Sequence, residues 1–196
     1  MATSFPVSLL LLISLLALTS TASSAVTKPS TPSNFIKSSC SITRYPALCI
    51  NSLSTYSSSI QTSPRTMAQT ALAVSLSRAR SAKTFIVQAS KSKGMKKREY
   101  QAVKDCIVNI GSCVDKLSKS ITELGKMGKG GDFFWHMSNV QTWASAALTD
   151  ENTCMDGFSG KAMDGRLKTA IKGRITNVAQ VTSNALALVN RFAERH

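Results

Sequence analysis

Histidine is almost missing from this 196-residue chain: there are two, and His196 is the last residue. A Ser/His/Asp relay would have to rest on His136 alone. No G-x-S-x-G elbow occurs, and no C-x-x-C or H-x-x-x-H spacing suits zinc. The glycine run Gly128 to Gly131 lacks the G-K-[ST] ending of a phosphate loop and reads as a turn. The sequence therefore gives no reason to expect a metal, a cofactor or catalysis by the chain itself. Strand signals are missing as well, because Val, Ile and Thr never alternate over a strand-length run. Long apolar runs are absent with one exception, Leu9 to Leu18. Ten such residues fall short of the ~20 that cross a bilayer.

That one run is followed by the small residues Ser23-Ser24-Ala25, so residues 1–25 read as a secretory signal peptide. The mature chain is expected outside the cell, with residues 26–33 (VTKPSTPS) as a flexible entry segment. Acidic residues are few: 10 Asp+Glu against 24 Lys+Arg leave a net charge of +14. After secretion, a polyanion such as an acidic polysaccharide or an anionic membrane surface suits that charge better than nucleic acid. The basic run at residues 91–98 is one place where anionic polymer would bind.

Five cysteines in a secreted chain imply two disulfides and one remaining thiol. Cys106 and Cys113 lie seven residues apart on one expected helix, roughly 10 Å along its axis. A disulfide tolerates at most about 7 Å between Cα atoms, so this pair is excluded. The spacing leaves the other pairings open. Cys40 and Cys49 flank the Tyr45-Pro46 break and are well placed to staple it.

Apolar residues recur at three- and four-residue steps from residue 34 onward. Residues 34–62 read as a hairpin of short helices broken at Pro46. A long helix starts at Ser63-Pro64, with Ser63 as cap, carries Ala68, Leu72, Ala79, Ala82 and Ile86, and stops near Gly94. The next covers about 98–124, with Val103, Cys106, Ile110, Cys113, Leu117, Ile121 and Leu124 as its stripe. A third starts near Asp132 with Phe133, Met137, Val140, Ala144 and Ala147. The last is expected to start at Thr153, where Thr153 and Asp156 have capping-box spacing, and to carry Met163, Leu167, Ile171, Val178, Val181, Ala185, Leu188 and Phe192. Asp150, Glu151 and Asp156 would then serve the positive end of that helix. The reading is all-α: an antiparallel up-down-up-down four-helix bundle (63–196) with an N-terminal helical hairpin (34–62), disulfide-stapled.

Several pieces, in order, resemble one family. They are the early cysteine pair, Asp105-Cys106, SAALT at 145–149, Thr153-Cys154 before Met155-Asp156-Gly157-Phe158, and SNALALVNRF at 183–192. The stretch WASAALTDENTCMDGF at 143–158 is the most specific of them. Together they resemble the plant invertase/pectin methylesterase inhibitor family across the mature chain. The resemblance implies a four-helix bundle with a protruding hairpin, bridges Cys40–Cys49 and Cys106–Cys154, and a free Cys113. It also implies a protein of the cell wall that blocks an enzyme and is not one itself.

Invertase inhibitors of this family carry a Pro-Lys-Phe motif between the second and third long helices. Here that connection reads GKMGKGGDFF (125–134) and has no proline, which favours pectin methylesterase as the target. Inhibition would be steric, with the polar faces of those helices filling the polysaccharide cleft in a 1:1 complex. The expected interface is Ser112, Lys116, Lys119 and Glu123 on one helix and Ser138, Gln141, Thr142 and Ser145 on the other. With no esterase domain expected on this chain, the inhibitor would act in trans. The alternatives are an acid invertase inhibitor and a non-inhibitory basic protein that binds wall polysaccharide.

Overall fold

A computed structural model describes residues 31–127, 132–159 and 165–195. The expected leader at 1–25, residues 26–30 of the expected entry segment, the expected glycine turn at 128–131 and Met163 lie outside them. Thr31 opens the fold by accepting the Asn34 amide on its hydroxyl at 3.3 Å, ahead of Pro32 in the first helical turn. Helix α1 (Pro32–Cys40) therefore starts two residues before the expected hairpin boundary. Pro46 starts α2 (Pro46–Leu53), and a 3₁₀ turn (Ser54–Tyr56) leads to the short α3 (Ser57–Ile60). Four long helices follow: α4 (Pro64–Ala89), α5 (Lys97–Lys126), α6 (Phe133–Asp156) and α7 (Arg166–Ala193). Among the described residues there is no strand.

Each long helix has a local cause. Ser63 Oγ accepts the Thr66 amide at 3.2 Å, and Pro64 costs no hydrogen bond at the helix start. Gly94, at φ +84°, turns the chain between α4 and α5 in a conformation other residues resist. Small residues bring α4 close to its neighbours: Ala68, Ala71, Ser75, Ala79 and Ala82 are all buried. Leu72 and Ile86 fill the space between them, as Ile110, Leu117 and Leu124 do on α5. Each of these fully buried side chains contributes about 1.5–3 kcal/mol relative to exposure.

Helix α4 packs on α5 and α7, and α6 packs on the same two, so the four form a closed ring. Contacts between ends show that neighbours run antiparallel. Arg65 at the start of α4 donates to the Leu124 and Gly125 carbonyls at the end of α5, at 3.1 and 3.2 Å, and caps that terminus. Cys106 near the start of α5 is bonded to Cys154 near the end of α6, with 4.4 Å between Cα atoms. Phe133 at the start of α6 meets Phe192 at the end of α7 edge to face, centroids 5.8 Å apart.

The hairpin packs onto the bundle instead of protruding. Ile36, Leu53 and Ile60 are buried in the same continuous core as the long helices, and α2 contacts both α4 and α7. The Cys40–Cys49 bridge, 5.6 Å between Cα atoms, closes the hairpin. Asn184 on α7 then docks it. Its Oδ1 accepts the Tyr45 amide at 3.0 Å and its Nδ2 donates to the Tyr45 carbonyl at 2.9 Å. Both backbone groups of the Tyr45-Pro46 break are satisfied from a residue 139 positions away.

The helix start expected at Thr153 is not there. Helix α6 runs unbroken to Asp156, and Thr153 Oγ1 donates back to the Thr149 carbonyl at 2.9 Å, a bond made inside a helix. The buried stripe of α6 reads Met137, Val140, Ala144, Ala147, Glu151, Cys154. Its three- and four-residue rhythm continues only if Glu151 counts as an interior residue. The Cys106–Cys154 bridge consequently ties α5 to the end of α6 and not to the start of α7.

Candidate functional site on the α5 and α6 face

Ser112, Lys116, Lys119 and Glu123 recur at three- and four-residue steps along α5, so they share one stripe. The antiparallel register held by Cys106–Cys154 sets this stripe against α6. Lys116 Nζ pairs with Asp150, 2.9 and 2.8 Å from its two oxygens. Lys119 Nζ lies 4.7 Å above the Trp143 ring, a cation–π contact. Glu123 Oε1 receives His136 Nδ1 at 2.8 Å and Asn139 Nδ2 at 3.1 Å, while Oε2 receives Lys126 Nζ at 2.9 Å. A carboxylate only accepts, so Nδ1 of His136 carries the proton in this contact. The bond from His136, helped by Lys126 and Asn139, holds the Glu123 carboxyl down at about 2.

On α6, Ser138, Thr142 and Ser145 are exposed and line up with Trp135 and Thr149 on one outward ridge. Trp135 is 68% exposed and its neighbour Phe134 is 72% exposed. Gln141 belongs elsewhere: its Nε2 donates to Asn190 Oδ1 on α7 at 3.0 Å, at the α6–α7 seam. The structure thus puts the four α5 residues on one stripe and three of the four α6 residues on one exposed ridge. It adds Trp135, His136, Asn139, Trp143 and Asp150, which the sequence reading did not include. The signal was present for Asn139, Trp143 and Asp150, which follow a helical step along α6, but their partners on α5 depend on register.

Beneath this face lies a buried polar knot. Glu151 is 0% exposed, and its Oε1 accepts from Thr182 Oγ1 on α7 at 2.8 Å and from the Cys113 thiol on α5 at 3.1 Å. Its Oε2 is buried without a partner among the described residues. Burial pushes this carboxyl up to about 7, against the pull of its two donors. Burial, reinforced by Glu151, also raises the Cys113 thiol, which makes it an inert interior group and not a nucleophile. The expectation that Glu151 serves a helix N-terminus is overturned, because it sits inside α6. The described residues hold no group of three His, Cys, Asp or Glu able to bind a metal ion. No described helix is long and apolar enough to cross a membrane. What the α5 and α6 face offers is a surface: a ridge of small polar side chains with an aromatic end, braced by charged cross-links.

Residues 34–188 match the family model for the plant invertase/pectin methylesterase inhibitor. The chain belongs to that family. Pectinesterase inhibitor 11 of Arabidopsis thaliana is 54% identical over 166 residues, spanning 83% of this chain and 82% of that protein. The 21 kDa protein of Daucus carota is 52% identical over 168 residues, spanning 84% and 87%. Among solved structures, this inhibitor-family chain is similar to a mutant form of a pectin methylesterase inhibitor from Arabidopsis, with a TM-score of 0.62 at 19% identity. That likeness covers 77% of this chain and 92% of the other and speaks to the fold.

Proposed function

We propose that this chain inhibits pectin methylesterase by seating the α5 and α6 face in the enzyme's pectin-binding cleft, as a 1:1 complex formed in trans in the plant cell wall. The observation that carries the reading is family membership combined with close identity to a protein named as a pectinesterase inhibitor. The geometry supports it. A ridge of Ser138, Thr142 and Ser145 presents little bulk to an approaching surface, and Trp135 supplies the kind of anchor that concentrates binding energy. Cross-links from Lys116 and Glu123 hold the two helices in one arrangement before binding, which lowers the entropy cost of docking. Inhibition needs no chemistry from the chain, only exclusion of the polymer.

The test is inhibition by variants of the ridge. Thr142→Arg and Ser145→Arg should each weaken inhibition of a sensitive esterase about tenfold or more, equal to about 1.4 kcal/mol of complex stability. Helical content should stay unchanged, because both side chains point to solvent. Full inhibition by both variants, with Trp135→Ala also silent, would place the docking surface elsewhere.

A further inference from the structure

The charge of this protein is divided by face. Helices α4 and α7 carry nine Lys and Arg and no Asp or Glu. Helices α5 and α6 carry six Lys and Arg against seven Asp and Glu. In the closed ring, the α4–α7 pair is opposite the α5–α6 pair. The large positive charge is therefore concentrated behind the proposed enzyme-docking face.

The α4–α7 side also has relief. An open groove of about 270 Å³ runs between these helices, lined by Arg78, Ser81, Gly173, Arg174 and Asn177. Arg78 also borders a second depression of about 290 Å³ with Asn51, Thr55 and the exposed Tyr56 from the hairpin. The two share one arginine and form a track with cations, amides, hydroxyls and one aromatic ring. Arg78 Nη1 is held by Asn177 Oδ1 at 2.7 Å, and the Arg174 guanidinium lies 4.0 Å over the Phe85 ring. Among the described residues neither guanidinium pairs with a carboxylate. Gly173 is an exposed part of the groove lining, and a Cβ there would meet no atom within 4 Å. Glycine inside a helix costs about 1 kcal/mol relative to alanine, so an unobstructed glycine is locally unfavourable unless the space is used.

We propose that this α4–α7 groove binds a linear polyuronate, the de-esterified form of pectin, while the α5–α6 face remains open to the esterase. Planar guanidinium groups match carboxylates in two-point hydrogen bonds. Ser81, Asn51 and Asn177 supply hydrogen-bonding groups for sugar hydroxyls, and Tyr56 supplies a face for a sugar ring. The choice of a carboxylated sugar polymer over a lipid surface follows from this lining. The groove has polar and aromatic contacts, whereas the exposed Phe134 and Trp135 lie on the opposite side of the bundle, on α6. The pectic identity of the polymer rests on the proposed function. An inhibitor held on the product of its own target would accumulate where de-esterification has already occurred.

The experiment titrates oligogalacturonate into the mature chain calorimetrically at low salt, with no esterase present, so its outcome is independent of inhibition. Wild type should bind, and affinity should fall steeply as salt shortens the screening length. Arg78→Ser/Arg174→Ser should weaken binding at least tenfold. Lys93→Ser/Lys96→Ser removes the same charge from the basic run at 91–98, the competing place for an anionic polymer, and should weaken it less than threefold. Gly173→Leu leaves charge untouched, fills the groove, and should weaken binding at least tenfold. It remains decisive if the arginine pair fails to fold. The same oligomer fully methyl-esterified should bind at least tenfold more weakly. Absence of wild-type binding, equal loss in the two charge-matched pairs, or wild-type affinity in Gly173→Leu would overturn the proposal. Tighter binding to phosphatidylserine vesicles than to the oligomer would assign the face to a membrane and overturn it too.

Discussion

Glu151 is held between three helices, with Thr182 and Cys113 on one oxygen and no partner among the described residues on the other. Its folded-state pKa of about 7 lies above the ordinary 4.5, so the folded protein binds a proton there that the unfolded chain releases first. That contribution to stability is complete below about pH 4.5 and is lost as pH rises through 7. The loss amounts to roughly 3 kcal/mol. Thermal melts of the wild type should therefore show a higher Tm near pH 4.5 than near pH 8, and Glu151→Gln should flatten the difference. A wild-type profile equally flat across that range would mean the carboxyl is solvated and the knot is not closed. Glu123 acts in the opposite direction. Its pKa is depressed to about 2, so its bonds to His136, Lys126 and Asn139 stabilise fully above about 4.5 and weaken only as pH falls toward 2. The two carboxyls together leave the mildly acidic range as the region where both are favourable.

At the scale of elements, what the sequence made legible was whatever depends on neighbours along the chain. The cap at Ser63, the break at Pro46 and the stripes of α4 and α5 all follow from local spacing, whereas α4 already ends at Ala89 and Gly94 only turns the connection after it. The end of α6 was misread for a physical reason. A glutamate interrupts the apolar count, and a threonine three residues before an aspartate imitates a cap. Only a partner on α7 reveals that Glu151 is interior. The Arg65 cap on α5 and the Asn184 dock on Tyr45 were invisible for the same reason, since each joins residues far apart in sequence. Of the candidate site, the helices and most of the polar stripe were readable. That Gln141 bonds to Asn190 across the α6–α7 seam could not be read from the sequence, because a small helical rotation decides which neighbour a side chain reaches. The second bridge joins α5 to the end of α6. Cys106→Ala/Cys154→Ala should lower stability by about 2–4 kcal/mol, through the 48-residue separation it no longer closes. Urea unfolding would detect this as a lower midpoint at retained helicity, and an unchanged midpoint would show that the α5–α6 packing alone holds the register.

For the whole molecule, net charge is a poor guide to what the docking face meets. The total of +14 suggests a protein that avoids basic partners, yet the α5 and α6 helices are nearly balanced. Cations concentrate on α4, α7 and the connection at 90–96, away from the ridge of Trp135, Ser138, Thr142 and Ser145. Long-range repulsion from these cations is screened over about 10 Å at 0.1 M salt, so it bears on association rate more than on the contacts formed. The central claim is inhibition of pectin methylesterase. It is tested most directly by titrating the refolded mature chain, both bridges confirmed by peptide mapping, against acidic and basic plant pectin methylesterases at about pH 5 to 7, with acid invertases alongside. Esterase activity should be lost near one equivalent of inhibitor, with invertases untouched. Full esterase activity at large excess across the panel, or loss of invertase activity alone, would contradict it.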